Sequence, residues 1–465
     1  MRIAIAGGSG FVGHELTEYL SQHFDAEIIS FSRHPNAAGK ISHPMLSFLA
    51  VDLHNLRSLE KALSEVDIAI YLVHSMLPSA RLNQGEFQDF DLSLADNFAR
   101  AAKKCGVEQI IYLSGLIPET SQVSEHLKSR LEVENVLRSY VPATTVIRAG
   151  LILGEKGSSF IILWRLINRL PILLCPKWTS NFCQPVALNE VVEAIAFVTG
   201  KSDYFGKTYD IGSCDSVSYR GLLKMTADIL GKKRVLLSIP VLSTKLSRMW
   251  LSLVTRAPRR LVYPLVESLK DSMLVRNDHR LAIPGYQARM TKDLIEEIAK
   301  KMLDLPATEI VPHAFIKRHN PEKKSSVRSI QRLPLPSGKT ADWVASQYMV
   351  WIKSLFPALL DVRSKYEYIY FHLRFINQPA LVLRLSAGRS QKDRQLFYVE
   401  GGFLSKKGAP RGRLEMRETL GSTAIIAAIH DFYPALPWYL YRFTQALIHA
   451  YVMKRFAAYL REFDK

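Results

Sequence analysis

The chain has 465 residues, 48% of them hydrophobic and 22% charged. That composition suits a folded protein with room for two or three domains and excludes a disordered or fibrous chain. Its 61 Lys+Arg outweigh 43 Asp+Glu to give a formal net charge of +18, yet residues 1–150 hold 13 basic and 17 acidic side chains, so the excess lies entirely beyond them. Such a surface points to an anionic membrane or ligand, or to an inert solvated face; nucleic acid is excluded as a partner because no binding motif or basic–aromatic platform is present.

Arg2 to Ala6 is a short apolar run suited to a strand buried on both faces. Gly7, Gly10 and Gly13 follow at G-x-x-G-x-x-G spacing, and then the helical pattern Phe11, Val12, Leu16, Tyr19, Leu20. A strand turning tightly into a helix aims backbone N–H groups and the helix dipole at one point, where a pyrophosphate binds. Gly7 permits the turn, Gly10 lets phosphates approach, and Gly13 lets the helix pack against the strand. A second strand, 26–32, ends at Ser32 and Arg33. An acid at that place would hold a ribose 2′-OH; a hydroxyl and a guanidinium suit a 2′-phosphate, so NADP (NADPH) is the expected cofactor and NAD the alternative.

Further strands are expected at 45–52, with Asp52 and Leu53 at its end, at 67–73, leading to Val73 and His74, and at 109–114 and 141–148. Helices are expected at 56–63, from Phe87 to Cys105, and at 123–140. This alternation predicts a doubly wound parallel sheet of the Rossmann type. The cysteines Cys105, Cys175, Cys183 and Cys214 form no C-x-x-C pair and no zinc spacing, so no metal site is expected. With no signal peptide before the first strand, they read as reduced thiols in a cytoplasmic protein.

Gly-Gly-Ser-Gly-Phe-Val-Gly (7–13), Tyr-Leu-Val-His-Ser (71–75), Tyr-Leu-Ser-Gly-Leu (112–116), Val-Ile-Arg-Ala-Gly (146–150) and Gln-Pro-Val-Ala-Leu-Asn-Glu-Val-Val (184–192) resemble the atypical short-chain dehydrogenase/reductases. The subgroup is the NAD(P)H-binding one that includes NmrA-like regulators and the nucleotide-binding accessory subunit of respiratory complex I. The resemblance implies cofactor contacts from Gly7, Ser9, Gly10, Phe11, Val12, Gly13, Ser32, Arg33, Asp52, Leu53, Val73, His74 and Arg130. Active members use Tyr-x-x-x-Lys, whereas this chain has His126-Leu-Lys-Ser-Arg130. Arg130 can keep the ribose contact but is too basic to relay a proton. His126 could exchange a proton near neutral pH, or could be an ordinary helix-start histidine. Ser114, His126 and Arg130 are the candidate chemical residues, with His74 beside them; Ser114 is close to the family's serine position, while Leu116 falls nearer to it. An NADP(H)-dependent reductase of a hydrophobic or membrane-derived substrate is one expectation; a non-catalytic sensor, regulator or assembly factor is the other.

The apolar run 158–176, broken by Arg165, Asn168 and Arg169, is too interrupted to span a membrane. It reads as a lid over the substrate crevice or as a helix against lipid. A strand at 207–211 and helices at 218–230 and 290–302 are expected to build a small substrate subdomain, and 241–269, with Trp250, Arg256, Arg259 and Arg260, is either core or membrane-facing. The predicted division is thus a nucleotide-binding domain with its subdomain over 1–316, a Lys/Ser/Pro-rich linker over 317–338, and an α+β domain over 339–465. In the last, a helix (340–356) precedes strands at 366–373, 380–386, 395–401 and 412–418, and one long helix from 437 to 463 closes the chain. This layout, with Gly-Arg-Leu-Glu-Met-Arg417, resembles START-related lipid-transfer-like domains, which implies an apolar ligand. Trp438, Tyr441, Gln445, Ile448, Val452 and Phe456 form a stripe read as core. The basic excess of 321–465, 23 Lys+Arg to 11 Asp+Glu, suggests peripheral association with the inner face of an anionic membrane.

Overall fold

A computed structural model describes residues 1–32, 43–74, 82–119, 123–239, 244–255, 259–306, 326–419 and 424–464. Met1–Met76 and Asn97–Lys317 form one compact unit, and Leu77–Asp96 with Arg318–Lys465 form a second.

In the first unit, β1 (Arg2–Ala6), β2 (Glu27–Ser32), β3 (Leu46–Ala50), β4 (Ile68–Tyr71), β6 (Gln109–Gly115), β7 (Thr145–Ala149) and β12 (Thr208–Ile211) form one parallel sheet in the order β12-β7-β6-β4-β1-β2-β3. Ile3, Ile5, Ile70, Ile111 and Ile147 point to one face, where they meet Leu16 and Leu20 of α1 (Phe11–His23) and Val191 and Ile195 of α6 (Leu188–Val198). Each such buried side chain contributes roughly 1.5–3 kcal/mol. On the other face Tyr71 packs against Phe98 of α3 (Phe87–Cys105) and against Tyr112, with ring centroids 4.9 and 5.9 Å apart. Covering helices on both faces explain why these strands are continuously apolar. Helix α4 (Glu125–Tyr140) is locked to the sheet by Arg148 of β7, whose Nε and Nη2 donate to the Glu134 carboxylate at 3.0 and 2.6 Å, with both residues buried. The short α2 (Leu56–Ala62) starts where Asn55 accepts the Ser58 N–H.

β12, assigned from sequence to the small subdomain, is an edge strand of the main sheet, paired to β7. The rest of the unit is three two-stranded ladders, β8 (Ile152–Leu153) with β11 (Val186–Ala187), β9 (Ile172–Pro176) with β14 (Val235–Ile239), and β10 (Phe182–Cys183) with β13 (Val217–Ser218). Packed with them are α5 (Ser158–Arg169), α7 (Tyr219–Ile229), α8 (Thr244–Thr255), α9 (Arg259–Ser268) and α10 (Thr291–Leu303). The apolar face of α5 does not meet lipid: Phe160, Ile161, Leu163, Trp164 and Ile167 are buried in this subdomain's core, and Arg165 and Arg169 donate to the carbonyls of Thr255 and Val254. Arg256 and the side chains of Trp250, Arg259 and Arg260 lie outside the described residues.

The second unit holds an eight-stranded sheet ordered β16-β17-β18-β19-β20-β21-β15-β5. Its strands are β5 (Leu82–Gln84), β15 (Val327–Pro334), β16 (Leu360–Lys365), β17 (Tyr368–Leu373), β18 (Pro379–Leu385), β19 (Arg394–Gly401), β20 (Arg413–Glu418) and β21 (Ala424–Phe432). All pairings are antiparallel except β15 with β5. Helices α11 (Ala341–Leu355) and α13 (Gln445–Leu460) cover one face, with Tyr348 against Phe456 at 5.1 Å.

Three sequence readings change here. The segment taken as linker contains β15, an interior strand whose Val327, Ile330 and Leu333 are buried; its Arg, Ser and Pro content disguised the alternation. Residues 77–96 belong to this unit through β5 and the first part of α3, so neither unit is continuous in sequence. The closing helix is also two helices, α12 (Trp438–Phe443) and α13, broken at Thr444 (φ −125°, ψ −89°), whose hydroxyl donates to the Leu440 carbonyl. Among the described residues no helix is long and apolar enough to cross a membrane.

Candidate functional site

The strand order reverses between β1 and β4, because the chain goes from β1 outward to β2 and β3 and then crosses back to β4 on the other side. Loops leaving the carboxyl ends on the two sides of that point diverge and leave a crevice, the place where open α/β sheets bind ligands.

At the mouth of this crevice lies the glycine turn. Gly7 adopts φ +94°, a conformation only glycine takes without strain. The Gly10 N–H donates to the Gly7 carbonyl at 2.8 Å. A Cβ on Gly13 would sit 2.2 Å from the Gly7 oxygen, so a side chain there would push α1 off the turn. A Cβ on Gly10 would come 3.0 Å from the same oxygen. No side chain caps the start of α1, so the first-turn N–H groups of Phe11, Val12 and Gly13 keep their donor capacity. An open helix start behind a turn stripped of Cβ atoms fits a pyrophosphate. The Phe11 ring takes a packing role: Cβ atoms on Gly154 and Gly157 would approach it to 2.8 and 2.9 Å.

Ser32, at the end of β2, donates to the Ser9 hydroxyl at 3.0 Å, which brings the second strand's tip beside the glycine turn. Arg33 lies outside the described residues. Asp52 and Leu53 follow β3, where Asp52 Oδ1 accepts the His54 N–H at 3.1 Å and the Leu53 carbonyl accepts from Asn97 at 2.9 Å. Val73 and His74 follow β4, half-buried.

The candidate chemical residues converge on the α4 side of the same edge. Ser124 caps α4 by accepting the Leu127 N–H, which fixes the first turn and puts His126 in it. The rings of His126 and His74 lie 5.0 Å apart. On β6, Tyr112 and Ser114 share a face by strand alternation; Tyr112 is fully buried, and the Ser114 hydroxyl is buried without a hydrogen-bond partner among the described residues. Arg130, one turn after His126, donates to the Tyr112 hydroxyl at 3.1 Å. The structure thus sets His74 beside His126 and Arg130 against Tyr112, with Ser114 on the same face of β6 as Tyr112, a residue absent from the expected site set. Its signal was present: Tyr112 is two residues before Ser114 on one strand.

Residues 7–157 match the family model described as NAD(P)H-binding. The chain is 30% identical over 114 residues to the auxiliary protein GraX of Staphylococcus aureus, covering 24% of this chain and 36% of that protein. It is 22% identical over 245 residues to the mitochondrial NADH-ubiquinone oxidoreductase 40 kDa subunit of Neurospora crassa, covering 51% of this chain and 62% of the subunit. The chain therefore spans less than two thirds of either relative. Among solved structures, a nucleoside-diphosphate-sugar epimerase of Staphylococcus aureus matches with TM-score 0.52 at 16% identity, over 64% of this chain and 100% of that one. The triphenylmethane reductase of Citrobacter sp. complexed with NADP(H) matches with TM-score 0.52 at 19% identity, again over 64% and 100%. These likenesses establish the fold. Together with the family match and the open glycine turn, they make the N-terminal part of this chain an NAD(P)H-binding domain of Rossmann type.

Proposed function

We propose that the first unit is an NADP(H)-dependent reductase and that its substrate is hydrophobic. What supports this reading is that His126 lies beside His74 and that Arg130 meets Tyr112, which shares one face of β6 with the buried Ser114 hydroxyl in the sheet that carries the glycine turn. Gly7, Gly10 and the N–H groups of α1 would hold the pyrophosphate of a bound dinucleotide, Ser9 and Ser32 would offer hydroxyls to its adenosine end, and Arg130 would bind the nicotinamide ribose. When bound, NADPH supplies the hydride. His126 delivers the proton that balances it, because it stands at the Tyr position of the Tyr-x-x-x-Lys pattern and an imidazole can both carry and release a proton. The Ser114 hydroxyl has donor capacity to spare and orients the acceptor oxygen. Arg130 fixes Tyr112 and the ribose but moves no proton.

The second unit serves as a holder for the apolar substrate. Supporting this, one helix lies between its first and second long strands, and a closing helix packs across a strongly antiparallel sheet, a layout resembling START-related domains.

Purified full-length protein with NADPH and a panel of quinones and enones, followed by loss of cofactor absorbance, tests the reading. Turnover with any member supports it; tight NADPH binding with no turnover across the panel replaces it with a non-catalytic NAD(P)H-binding sensor. The NADP preference is tested separately by Arg33→Ala, expected to weaken NADPH but not NADH by about 1.5–3 kcal/mol. Equal losses for the two cofactors remove Arg33 from the site.

A further inference from the structure

Helices α12 and α13 present two faces of opposite fate. Inward, Tyr441, Ala446, Val452, Met453, Phe456 and Leu460 complete the core of the second unit. Outward, Tyr439, Leu440, Phe443, Leu447, Ile448 and Tyr451 are exposed, with Tyr439, Phe443 and Leu447 at 68%, 69% and 59%. Ile448, read from sequence as core, belongs to this outer set. Leu447 and Tyr451 follow one another at a spacing of four on α13, and Phe443 is exposed at the end of α12 just before it. Single exposed apolar residues are ordinary, but six on two consecutive helices make a patch that needs a partner.

The rim of the patch is cationic. Arg442 lies over the Phe443 ring at 5.7 Å, and Lys454 and Arg455 extend the outer row one turn past Tyr451. At the other end, Trp438 opens α12 and lines a cleft of about 1090 Å³ together with Lys406, Lys407 and Arg411. The cleft loop is tied to the approach to α12 by the Lys406 N–H donating to the Tyr433 carbonyl and the Ala435 N–H to the Leu404 carbonyl. The cleft's one lining carboxylate, Glu400, is matched by Arg384 at 2.9 Å and Arg411 at 3.6 Å. Arg442, Lys454, Arg455, Lys406 and Lys407 have no carboxylate partner among the described residues.

We propose that this face docks the second unit on an anionic phospholipid bilayer. Aromatic and aliphatic side chains enter the interfacial region, and the unpaired cations around them meet lipid phosphates. A second copy of the chain fits less well, because like-charged rims would be brought together around the apolar centre.

Full-length protein is co-sedimented with vesicles of phosphatidylcholine alone and of phosphatidylcholine mixed with phosphatidylglycerol. Binding only to the mixed vesicles, weakening as salt rises, is expected. Leu447→Ser with Phe443→Ser, and separately Lys406→Glu with Lys407→Glu, should each lower vesicle affinity about tenfold or more. All four side chains are exposed, and an unchanged far-UV spectrum and melting temperature confirm that each variant folds. Absence of binding to mixed vesicles overturns the proposal, as does undiminished binding by both double variants. Light scattering that shows a dimer lost on Leu447→Ser, with no vesicle binding, assigns the face to a second copy instead. None of these outcomes depends on whether the first unit turns over NADPH.

Discussion

In the parallel sheet of the first unit, strands such as β1 and β4 offer apolar side chains to both faces, and polar groups collect where the strands end, at Ser32, His74 and Ser114. In the antiparallel sheet of the second, β20 reads Arg413-Leu414-Glu415-Met416-Arg417 and buries both alternating sets. Leu414 and Met416 join the core under α11 and α13. The charged set is closed by its own ion pairs: Arg394 to Glu415 at 2.6 Å, Arg417 to Asp96 of α3 at 3.1 Å, and Arg413 to Asp431 at 3.0 Å. Burial by itself would raise the Glu415 carboxyl, but Arg417 and Arg394 overcome it and hold the group well below the usual carboxylate range. The contrast separates two uses of polarity. Charges that satisfy one another inside a sheet specify which segment packs there, whereas donors left at strand ends and helix starts are available to a ligand.

The sharpest way to break the contrast is to open the buried cluster. Arg417→Ala leaves Asp96 and Glu415 facing one another without their shared cation, at a cost of about 3–5 kcal/mol. Hydrogen exchange over β20, β21 and residues 87–96 should accelerate strongly while calorimetry finds NADPH affinity unchanged. Protection retained across those segments would show that the pairs are ornamental.

The converse change belongs to the ligand-facing donors. Gly10→Val should cut NADPH affinity by at least about 100-fold, or ~2.7 kcal/mol, with exchange in the second unit untouched. Unaltered affinity by calorimetry would mean that the glycine turn does not carry the pyrophosphate. Within the same site, His126→Ala should lower turnover on any substrate found by about 100-fold, with cofactor affinity barely moved. Full activity would move the proton source to Tyr112 or Ser114.

The smallest effect is a pH response confined to the second unit. The imidazole Nε2 of His449 lies 3.1 Å from the Ser329 hydroxyl, and burial lowers its pKa to about 4. The unfolded chain, with an ordinary value near 6.5, then binds more protons than the folded one between those limits. The His449 contribution is therefore complete above about pH 6.5 and is lost as pH falls toward about 4, by about 1–3 kcal/mol. Melting followed by pH should show this slope, and His449→Gln should flatten it. Glu415 has the same sign but acts lower, since its stabilisation is present above the unfolded carboxylate range and fades only below it.

Much of the first unit was legible because its signals are local. A β-branched run, three glycines at fixed spacing and an amphipathic helix occupy 23 consecutive residues, and each obeys its own backbone preference. The placing of Ser114 on β6 and of His126 and Arg130 on α4 was legible from the strand run and the helical pattern, although Tyr112 needed the Arg130 contact to enter the site. The second unit concealed more. β15 is written in Arg, Ser, Gln and Pro, and its strand character comes from neighbours 424–432 and 82–84 that lie far away in sequence.

What the sequence by itself determined, then, is what short-range sterics and periodicity determine: the glycine turn, the order of the main-sheet strands and their helices over 1–150, though not β5, and the change of sign in charge beyond them. Tertiary structure alone decided the rest. It made β12 a strand of the main sheet, drew residues 77–96 into the second unit, and set which of two apolar stripes on the closing helices became core. The reason is that burial is a property of the surroundings. Val452 and Ile448 are equally hydrophobic and four residues apart on one helix, but only Val452 meets a sheet.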